Sequence, residues 1–189
     1  MADFDAVTRG APPHPTLQKA LRHWHDAPAQ ALDLGCGMGR DSLELLRRGW
    51  QVQAIDNRQD ALDGLLQQTD AVQRERLQTL CGDFQTLPLP AAELINASFA
   101  LPFCPPEHFP ALWRGIEQAL RPKGLFAGHF FGIRDQWQAR NLTLHTCEAL
   151  QALLVDWELL QFEEHEWDGK TATGHKKHWH LFAVVARRL

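Results

Sequence analysis

The sequence is poor in the features that mark several common protein classes. It has no tyrosine, no long hydrophobic run and only four cysteines in 189 residues, Cys36, Cys81, Cys104 and Cys147. The scattered cysteines favour neither a zinc ribbon nor a disulfide framework, and they fit a reducing compartment. No stretch approaches the roughly 20 apolar residues that span a bilayer, and the first residues hold no apolar core of signal-peptide length. We therefore expect a cytoplasmic protein without membrane contact.

An excess of basic residues is also missing. Counting 19 Lys and Arg against 23 Asp and Glu gives a formal net charge of -4. This balance argues against nucleic acid as a partner, because such proteins usually carry a basic stripe or patch. The length and the 44% hydrophobic content predict a single domain, residues 1–189, with one core. The expected partner is a small molecule, and the composition does not indicate an oligomeric state.

Short apolar runs alternate with segments of helical periodicity. This alternation predicts an α/β fold, a Rossmann-like doubly wound and mostly parallel sheet with helices on both faces. The last two runs lack a helix between them and predict an antiparallel C-terminal hairpin. The predicted strands are 30–36, 50–56, 77–84, 92–101, 125–132, 157–167 and 178–188, and the predicted helices are 40–48, 58–68, 107–120 and 147–154, with a turn at 121–124.

The stretch "ALDLGCGMGRDS", residues 31–42, places three glycines after the first strand. Ligands of doubly wound sheets bind outside the carboxyl ends of the strands, and glycine lets the backbone approach them closely. Asp56 ends the second strand, where a carboxylate can accept hydrogen bonds from ribose hydroxyls. The dinucleotide fingerprint G-x-G-x-x-G would need its third glycine where Arg40 stands. A cofactor without a pyrophosphate but with a charged amino-acid tail therefore fits better.

Motifs at five points along residues 30–130 resemble those of the class I S-adenosylmethionine-dependent methyltransferases. "LDLGCGMGRDS" is similar to the first motif, and Asp56 to the acid that ends the second strand. "GDF", 82–84, resembles the adenine-binding motif, "LINASFALPF", 94–103, the fourth-strand motif, and "LRPKG", 120–124, the turn before strand five. Lys123 there replaces a glycine. The first 60 residues are also similar to small bacterial tellurite-resistance-type and thiopurine-type enzymes.

The resemblance implies S-adenosyl-L-methionine as the cofactor and a set of residues that contact it. Asp56 would bind the ribose, Asp83 the adenine amino group, and the fourth-strand motif would face the transferred methyl group. The implied cofactor-binding residues are Asp33, Gly35, Cys36, Gly37, Arg40, Asp56, Asn57, Gly82, Asp83, Phe84, Ala97, Ser98 and Phe99.

Each of these assignments has a structural alternative. Asp56 sits where a helix N-cap is also expected, and Asp83 is a common turn former. Phe84 is equally suited to the core. Arg40 is either a solvated helix residue or the donor of a charge-assisted hydrogen bond to a bound carboxylate.

Histidines raise the question of a metal. His178 and His180 share one face of a strand, and His129 on another strand would complete three zinc ligands. Neither an H-E-x-x-H motif nor a cysteine pair accompanies them. We therefore expect no metal, with these histidines near a pocket or on the surface.

Four segments at the same sheet edge remain for the acceptor: 9–15, 98–104, 129–137 and 168–179. The first is stiffened by prolines and is expected to cover the cofactor. The last is bounded by glycines and is either a mobile lid or a long hairpin loop. Their mixture of charged and aromatic side chains predicts a small, partly apolar acceptor with a negative or polar group. The predicted acceptor contacts are Arg9, Phe103, His129, Arg134, Asp135, Trp137 and His178, and no residue is assigned as catalytic.

The sequence thus predicts an S-adenosylmethionine-dependent methyltransferase that acts on a small molecule. A non-catalytic S-adenosylmethionine-binding module is the alternative, since it would keep the same cofactor motifs. A nicotinamide oxidoreductase is a weaker alternative, because it requires a different glycine spacing.

Overall fold

The centre of the structure is one sheet of eight strands. The computed structural model describes residues 4–189. The strand order is β3-β2-β1-β4-β5-β8-β7, with the short β6 beside β5. Strands β1 to β6 pair in parallel, whereas β8 runs antiparallel to both of its neighbours. The strands are β1 Gln30–Leu34, β2 Gln51–Asp56, β3 Leu77–Cys81, β4 Ala92–Ala97, β5 Leu120–Gly132, β6 Leu144–His145, β7 Trp157–Lys170 and β8 Lys176–Arg188.

Helices cover both faces of this sheet, which confirms the predicted Rossmann-like α/β fold with its antiparallel C-terminal hairpin. Within residues 4–189, no helix reaches the length and apolarity that crossing a bilayer requires. The expectation of one domain over 1–189 stays a prediction, and residues 1–3 lie outside the described part. The helices are α1 Phe4–Thr8, α2 Pro15–His23, α3 Arg40–Arg47, α4 Gln59–Gln67, α5 Ala71–Arg74, α6 Phe109–Ala119 and α7 Cys147–Leu153, with short 3-10 turns at Leu101–Phe103 and Gln136–Ala139.

Two hydrophobic cores lie on opposite faces of the sheet because successive strand residues point to opposite sides. Even-numbered residues of β5 and β8, such as Phe126 and Phe182, pack with α6 and α7. Odd-numbered residues, such as Leu125 and Val185, pack with α2, α3 and α4. This alternation decides which side chains of β5 and β8 can face a ligand.

The structure departs from the predicted elements at several places. The predicted strands 30–36 and 92–101 end early, at Leu34 and Ala97, and helices α1, α2 and α5 and strand β6 were not predicted. Strand β3 ends at Cys81, so Gly82–Phe84 leave the sheet as a turn. Residues 121–124, predicted as a turn, already belong to β5. The predicted loop 168–179 is mostly ladder, because β7 continues to Lys170 and β8 starts at Lys176. Only the tip at 171–175 turns, closed by the Thr171 N–H to the His175 carbonyl at 2.8 Å.

Lys123 has a left-handed backbone, with φ of 65°, at the position where the resembled motif has glycine. That conformation costs an L-residue roughly 1–2 kcal/mol, and glycine avoids the cost. Part of the gain is offset by the greater freedom of glycine in the unfolded chain. Lys123→Gly is expected to raise the free energy of unfolding by about 0.5–1 kcal/mol in urea titrations. Lys123→Ala keeps the Cβ atom and should give no such gain, and equal effects of the two substitutions would contradict this explanation.

Candidate cofactor and acceptor site

The glycine turn lies between β1 and α3 and is held against the end of β2. The N–H groups of Gly35 and Cys36 both donate to the Ile55 carbonyl, at 2.8 and 3.0 Å. Gly35 has a φ of 67°, and a Cβ atom there would come within 2.7 Å of Ala100 Cβ. Gly37 has a φ of 53°, and a Cβ atom would meet nothing within 4 Å. The turn therefore requires glycine at 35 for packing and leaves open space beside Gly37.

Asp56 points its carboxylate at this turn from the end of β2. Its Oδ2 accepts from the Gly37 N–H at 2.8 Å, and its Oδ1 accepts from the Arg58 N–H at 3.0 Å. The N-cap of α4 is Arg58, without a side-chain cap, so Asp56 does not occupy that position. A carboxylate has about four acceptor sites, and these two bonds leave acceptor capacity for a ligand hydroxyl.

Asp83 and Phe84 come from the turn that follows β3. The Asp83 carbonyl accepts from the Thr86 N–H at 3.0 Å, and its Oδ1 accepts from the Gln85 N–H at 3.3 Å. Its Oδ2 also accepts from the Gln85 side chain. Asp83 thus forms the turn, and both it and Phe84 also line the cavity described below. A turn role and a ligand role are compatible at this position.

A buried network beneath the turn links two carboxylates. Asn96 Nδ2 donates to Asp33 Oδ1 at 2.8 Å and to Asp41 Oδ2 at 2.9 Å, and Ser42 Oγ donates to Asp33 Oδ2 at 2.5 Å. Asp33 is 2% exposed and is absent from the cavity lining. It therefore fixes the start of α3 against β1 and β4, so any effect on a cofactor passes through the backbone it positions.

The pKa values of the Asp33 and Asp41 carboxyl groups are shifted in opposite directions. Burial raises the pKa of Asp33 to about 7, and the charge of Asp41 adds to this effect. Burial also acts on Asp41, but hydrogen bonds from the His14 side chain and backbone outweigh it and lower the pKa of that carboxyl to about 2. One negative charge therefore stays on Asp41, and Asp33 takes up a proton near neutral pH.

Asp33→Asn is expected to change how stability depends on pH. Between pH 4 and 7 the folded chain holds a proton on Asp33 that the unfolded chain releases, so this group loses stabilising effect as pH rises. The free energy of unfolding of Asp33→Asn relative to the parent should therefore increase from pH 4 to pH 7, with a slope of at most about 1.4 kcal/mol per pH unit. Urea titrations across this range measure it. Asp26→Asn, which removes an exposed carboxylate, is the matched control. A difference that does not change with pH for Asp33→Asn would contradict the assignment.

The segment before α2 is fastened over the site by His14. Its N–H donates to Asp41 Oδ1 at 2.8 Å and its Nδ1 lies 3.0 Å from Asp41 Oδ2. Arg40 Nη1 lies 2.9 Å from His14 Nε2, and Arg40 Nε donates to the Pro12 carbonyl. Residues 8–11, 13 and 14 line the cavity. His14 was not among the predicted contacts, because its pairing with Asp41 spans 27 residues and leaves no local signal.

One cavity of about 1150 Å³ contains most of the predicted site. Single-ligand pockets usually measure about 300–1,000 Å³, so there is room for more than one small molecule. The predicted cofactor contacts that line the cavity are Gly35, Cys36, Gly37, Arg40, Asp56, Asn57, Asp83, Phe84, Ser98 and Phe99. Asp33, Gly82 and Ala97 do not appear in the lining. Of the predicted acceptor contacts, Arg9, Phe103 and Trp137 line it.

The other predicted acceptor contacts lie away from the cavity lining. Arg134 pairs with Glu166 at 2.7 Å and with Glu164 at 3.0 Å. His178 pairs with Glu166 at 3.1 Å on the same face of the hairpin. Glu164, Glu166 and His178 occupy even-numbered positions of β7 and β8. Their side chains point to the face opposite to that of Trp179, which does line the cavity. Side chains alternate between the two faces of a strand, so the odd or even position of a residue decides whether it faces the cavity.

His129 and Asp135 are buried behind the cavity wall. The His129 ring stacks on Phe99 with centroids 4.2 Å apart, its Nδ1 has no partner in the described part, and burial lowers its pKa to about 3. Asp135 is fully buried and lies 2.9 Å from Lys177 Nζ. His129 faces the side opposite to His178, so the three histidines do not converge. Within residues 4–189, no group of three or more His, Cys, Asp or Glu is arranged to hold a metal ion.

Known proteins share both the fold of this chain and the segment that contains the glycine turn. A sequence profile described as a methyltransferase domain matches residues 31–124, from β1 to the left-handed bend in β5. The matched residues contain the glycine turn, Asp56 and Asp83, and this part of the chain is a methyltransferase domain of the class I, S-adenosylmethionine-dependent type. The solved structure of TehB from Haemophilus influenzae superposes on this methyltransferase with a TM-score of 0.79 at 19% identity, covering 93% of this chain and 62% of TehB.

Two further comparisons bear on this methyltransferase. The carboxy-S-adenosyl-L-methionine synthase of Shewanella oneidensis is 28% identical over 130 residues, 64% of this chain and 54% of the relative. The chain thus spans about half the length of such curated relatives. A Burkholderia thailandensis N1-methyltransferase, solved with 1,6-didemethyltoxoflavin and S-adenosylhomocysteine, has a TM-score of 0.67 at 23% identity and covers 97% of this chain and 79% of its own.

S-adenosyl-L-methionine is the cofactor of this family, and the turn fits it. The open space at Gly37 admits a ligand close to the backbone, and Asp56 offers a carboxylate to a diol. Arg40 at the start of α3 is a cation within the same cavity, suited to a carboxylate tail. A pyrophosphate would require a glycine where Arg40 stands.

Proposed function

We propose that the chain transfers the methyl group of S-adenosylmethionine to a small-molecule acceptor. The observation that carries this proposal is that a single cavity joins the glycine turn to a compartment lined by the C-terminal half of the chain. That compartment includes Phe103, Phe131, Trp137 and Trp179. A cofactor at the turn and an acceptor in the compartment would share one continuous cavity.

The cofactor end would be held by three polar groups from separate segments: the end of β2, the turn after β3 and the start of α3. Asp56 would accept from the ribose, Asp83 would accept from the adenine amino group, and Arg40 would donate to the carboxylate of the amino-acid tail. All three line the cavity. Ser98 and Phe99, after β4, would lie between this end and the acceptor compartment.

The chemistry asks little of the protein beyond alignment. S-adenosylmethionine supplies a methyl group on a positively charged sulfur, already activated for transfer to a nucleophile. The protein's residues hold the acceptor in line at about 3 Å and exclude water. The segment 12–14 on one side and the hairpin tip 171–175 on the other would close the cavity over the cofactor and the acceptor. No side chain is assigned as a general base, because an acceptor that is already ionised needs none.

The alternative is a module that binds S-adenosylmethionine without transferring its methyl group. Such a module needs no acceptor compartment, and the aromatic half of the cavity therefore argues for transfer. A nicotinamide oxidoreductase is disfavoured by the glycine spacing and by the family.

Transfer can be measured with S-adenosylmethionine carrying a deuterated methyl group. The acceptor panel contains thiols, metalloid oxyanions and aromatic carboxylates, and mass spectrometry detects the label. We expect the label in at least one acceptor and its loss in Gly37→Val, whose side chain would fill the open space beside Asp56. Half-buried Gly115 also has open space for a Cβ atom but lies on α6, away from the cavity lining. Gly115→Ala should therefore leave transfer unchanged. Cofactor binding without label in any acceptor would favour the non-catalytic module.

A further inference from the structure

A wall of five aromatic side chains forms one side of the acceptor compartment. The wall consists of Phe99, Phe103, Phe131, Trp137 and Trp179, all of which line the cavity. Neighbouring rings lie 5.9–6.2 Å apart between centroids, from Phe103 through Trp137 and Phe131 to Trp179 and Phe99. Such a surface favours the face or edge of a planar molecule over an aliphatic one.

A buried cation stands behind this wall. Lys177 Nζ lies 3.5 Å from the Trp179 centroid, 3.8 Å from that of Trp137 and 4.2 Å from that of Phe131. Its ion-pair partner is the buried Asp135, at 2.9 Å. Lys177 does not line the cavity, so the rings separate it from the compartment. The electron-rich faces of these rings already contact one cation, which leaves less cation–π attraction for a second cation on the cavity side.

The rim of the compartment is also positive. The cationic residues from the C-terminal half of the chain that line the cavity are Arg140, Lys170 and Lys176. Within the described chain, no Asp or Glu of that half lines it; the acidic lining residues Glu44, Asp56 and Asp83 belong to the cofactor half.

Two of these cations are placed directly against each other. Lys170 and Lys176 are the last cross-strand pair of the β7–β8 ladder. Like charges directly opposite each other destabilise a ladder, and no ion pair neutralises either of them among residues 4–189. An anion at the hairpin tip would relieve this repulsion. The Thr171 and Thr173 hydroxyls, 3.1 Å apart in the turn, add neutral donors at the same place.

We propose that the acceptor compartment selects a planar molecule that carries a negative charge, with its ring on the aromatic wall and its anionic group at the Lys170–Lys176 pair. This inference rests on the proposed function, because it names the class of acceptor for that same cavity. Lys177 acts as a positioning and selectivity residue behind the rings and does not touch the acceptor.

Matched small molecules separate shape from charge. With S-adenosylhomocysteine at saturation, binding is measured by calorimetry and tryptophan fluorescence for 2-naphthoate, 2-naphthamide, 2-naphthylmethylammonium and cyclohexanecarboxylate. We expect 2-naphthoate to bind at least 10-fold more tightly than its amide and than cyclohexanecarboxylate, a difference of at least about 1.4 kcal/mol. The ammonium compound should bind most weakly of the four.

Variants then assign the charge selection to named side chains. The double variant Lys170→Gln with Lys176→Gln should weaken the binding of 2-naphthoate at least 10-fold. Its affinities for 2-naphthamide and S-adenosylhomocysteine should stay unchanged. The control variant, Lys19→Gln with Lys123→Gln, lowers the net charge by the same amount at residues outside the cavity lining. It should leave the affinity for 2-naphthoate unchanged. Lys177→Met with Asp135→Asn removes the buried pair together, so that no lone charge is left in the interior, and should narrow the preference for 2-naphthoate over the ammonium compound.

The outcomes separate this proposal from the function on which it rests. If 2-naphthoate binds no better than 2-naphthamide, or if Lys170→Gln with Lys176→Gln leaves its affinity intact, the proposed acceptor class is wrong while the methyltransferase function stands. If S-adenosylhomocysteine does not bind the parent protein, the proposed function fails and the acceptor class fails with it.

Discussion

Asp56→Ala is expected to weaken S-adenosylhomocysteine binding by roughly 10-fold to 100-fold. Hydrogen bonds to a charged group are worth about 1.5–3 kcal/mol, and the ribose would lose its carboxylate acceptor. The substitution also removes the acceptor for the Gly37 and Arg58 N–H groups, so the turn itself would loosen. Calorimetry at constant pH and salt measures the effect.

Two companion variants separate the ligand contact from the local structure. Asp56→Asn keeps one acceptor oxygen for the turn but loses the charge, and should fall between the parent and Asp56→Ala. Asp60→Ala removes an exposed carboxylate from the first turn of α4 and should bind like the parent. Unchanged affinity in Asp56→Ala would remove Asp56 from the cofactor site.

Deleting residues 170–173 is expected to lower methyl transfer at least 10-fold while S-adenosylhomocysteine affinity stays nearly intact. A 10-fold loss corresponds to about 1.4 kcal/mol in the transition state. All four deleted residues line the cavity at the hairpin tip. The Gly169–Lys177 pair would then be closed by the three residues 174–176, a common hairpin loop length, so the strands should keep their register.

A second variant separates two contributions of the hairpin tip: closing the cavity through its length, and contacting the acceptor through its side chains. Replacing residues 170–173 by Gly-Ser-Gly-Ser keeps the length and removes the lysine and threonines. Transfer to the labelled acceptor that reacts fastest in the parent is the readout. Trypsin cleavage of the parent after Lys170 should slow when S-adenosylhomocysteine is bound. A deletion variant that methylates as fast as the parent would show that the tip is not a lid, and the cover would then lie in the segment that His14 holds.

Most of the residues that the sequence assigns to the cofactor line one cavity, because they come from local signals along the chain. The glycine turn, Asp56 and Asp83 each follow a strand directly, and parallel strands bring their carboxyl ends to one edge. Asp33 is an exception: it sits within the motif but is buried under Asn96 and Ser42. The motif shows where the residue lies in the chain and not which way its side chain turns.

The acceptor half was less predictable because it depends on strand length and parity. The tip segment looked like a loop, since glycines at 169 and 174 punctuate it, yet the ladder continues past Gly169. That extension fixes which side chains face the cavity: Trp179 does, and His178 does not. The pairing of Lys177 with Asp135 spans the turn after β5 and the end of the hairpin, a contact that no local pattern encodes.

The most direct test of the account is a crystal structure with S-adenosylhomocysteine bound. We expect the ribose hydroxyls on Asp56, the adenine against Asp83 and Phe84, and the sulfur facing the compartment bounded by Phe99, Trp137 and Trp179. Ribose density away from Asp56, or a sulfur that faces away from the aromatic wall, would contradict the claim that one cavity holds cofactor and acceptor for methyl transfer.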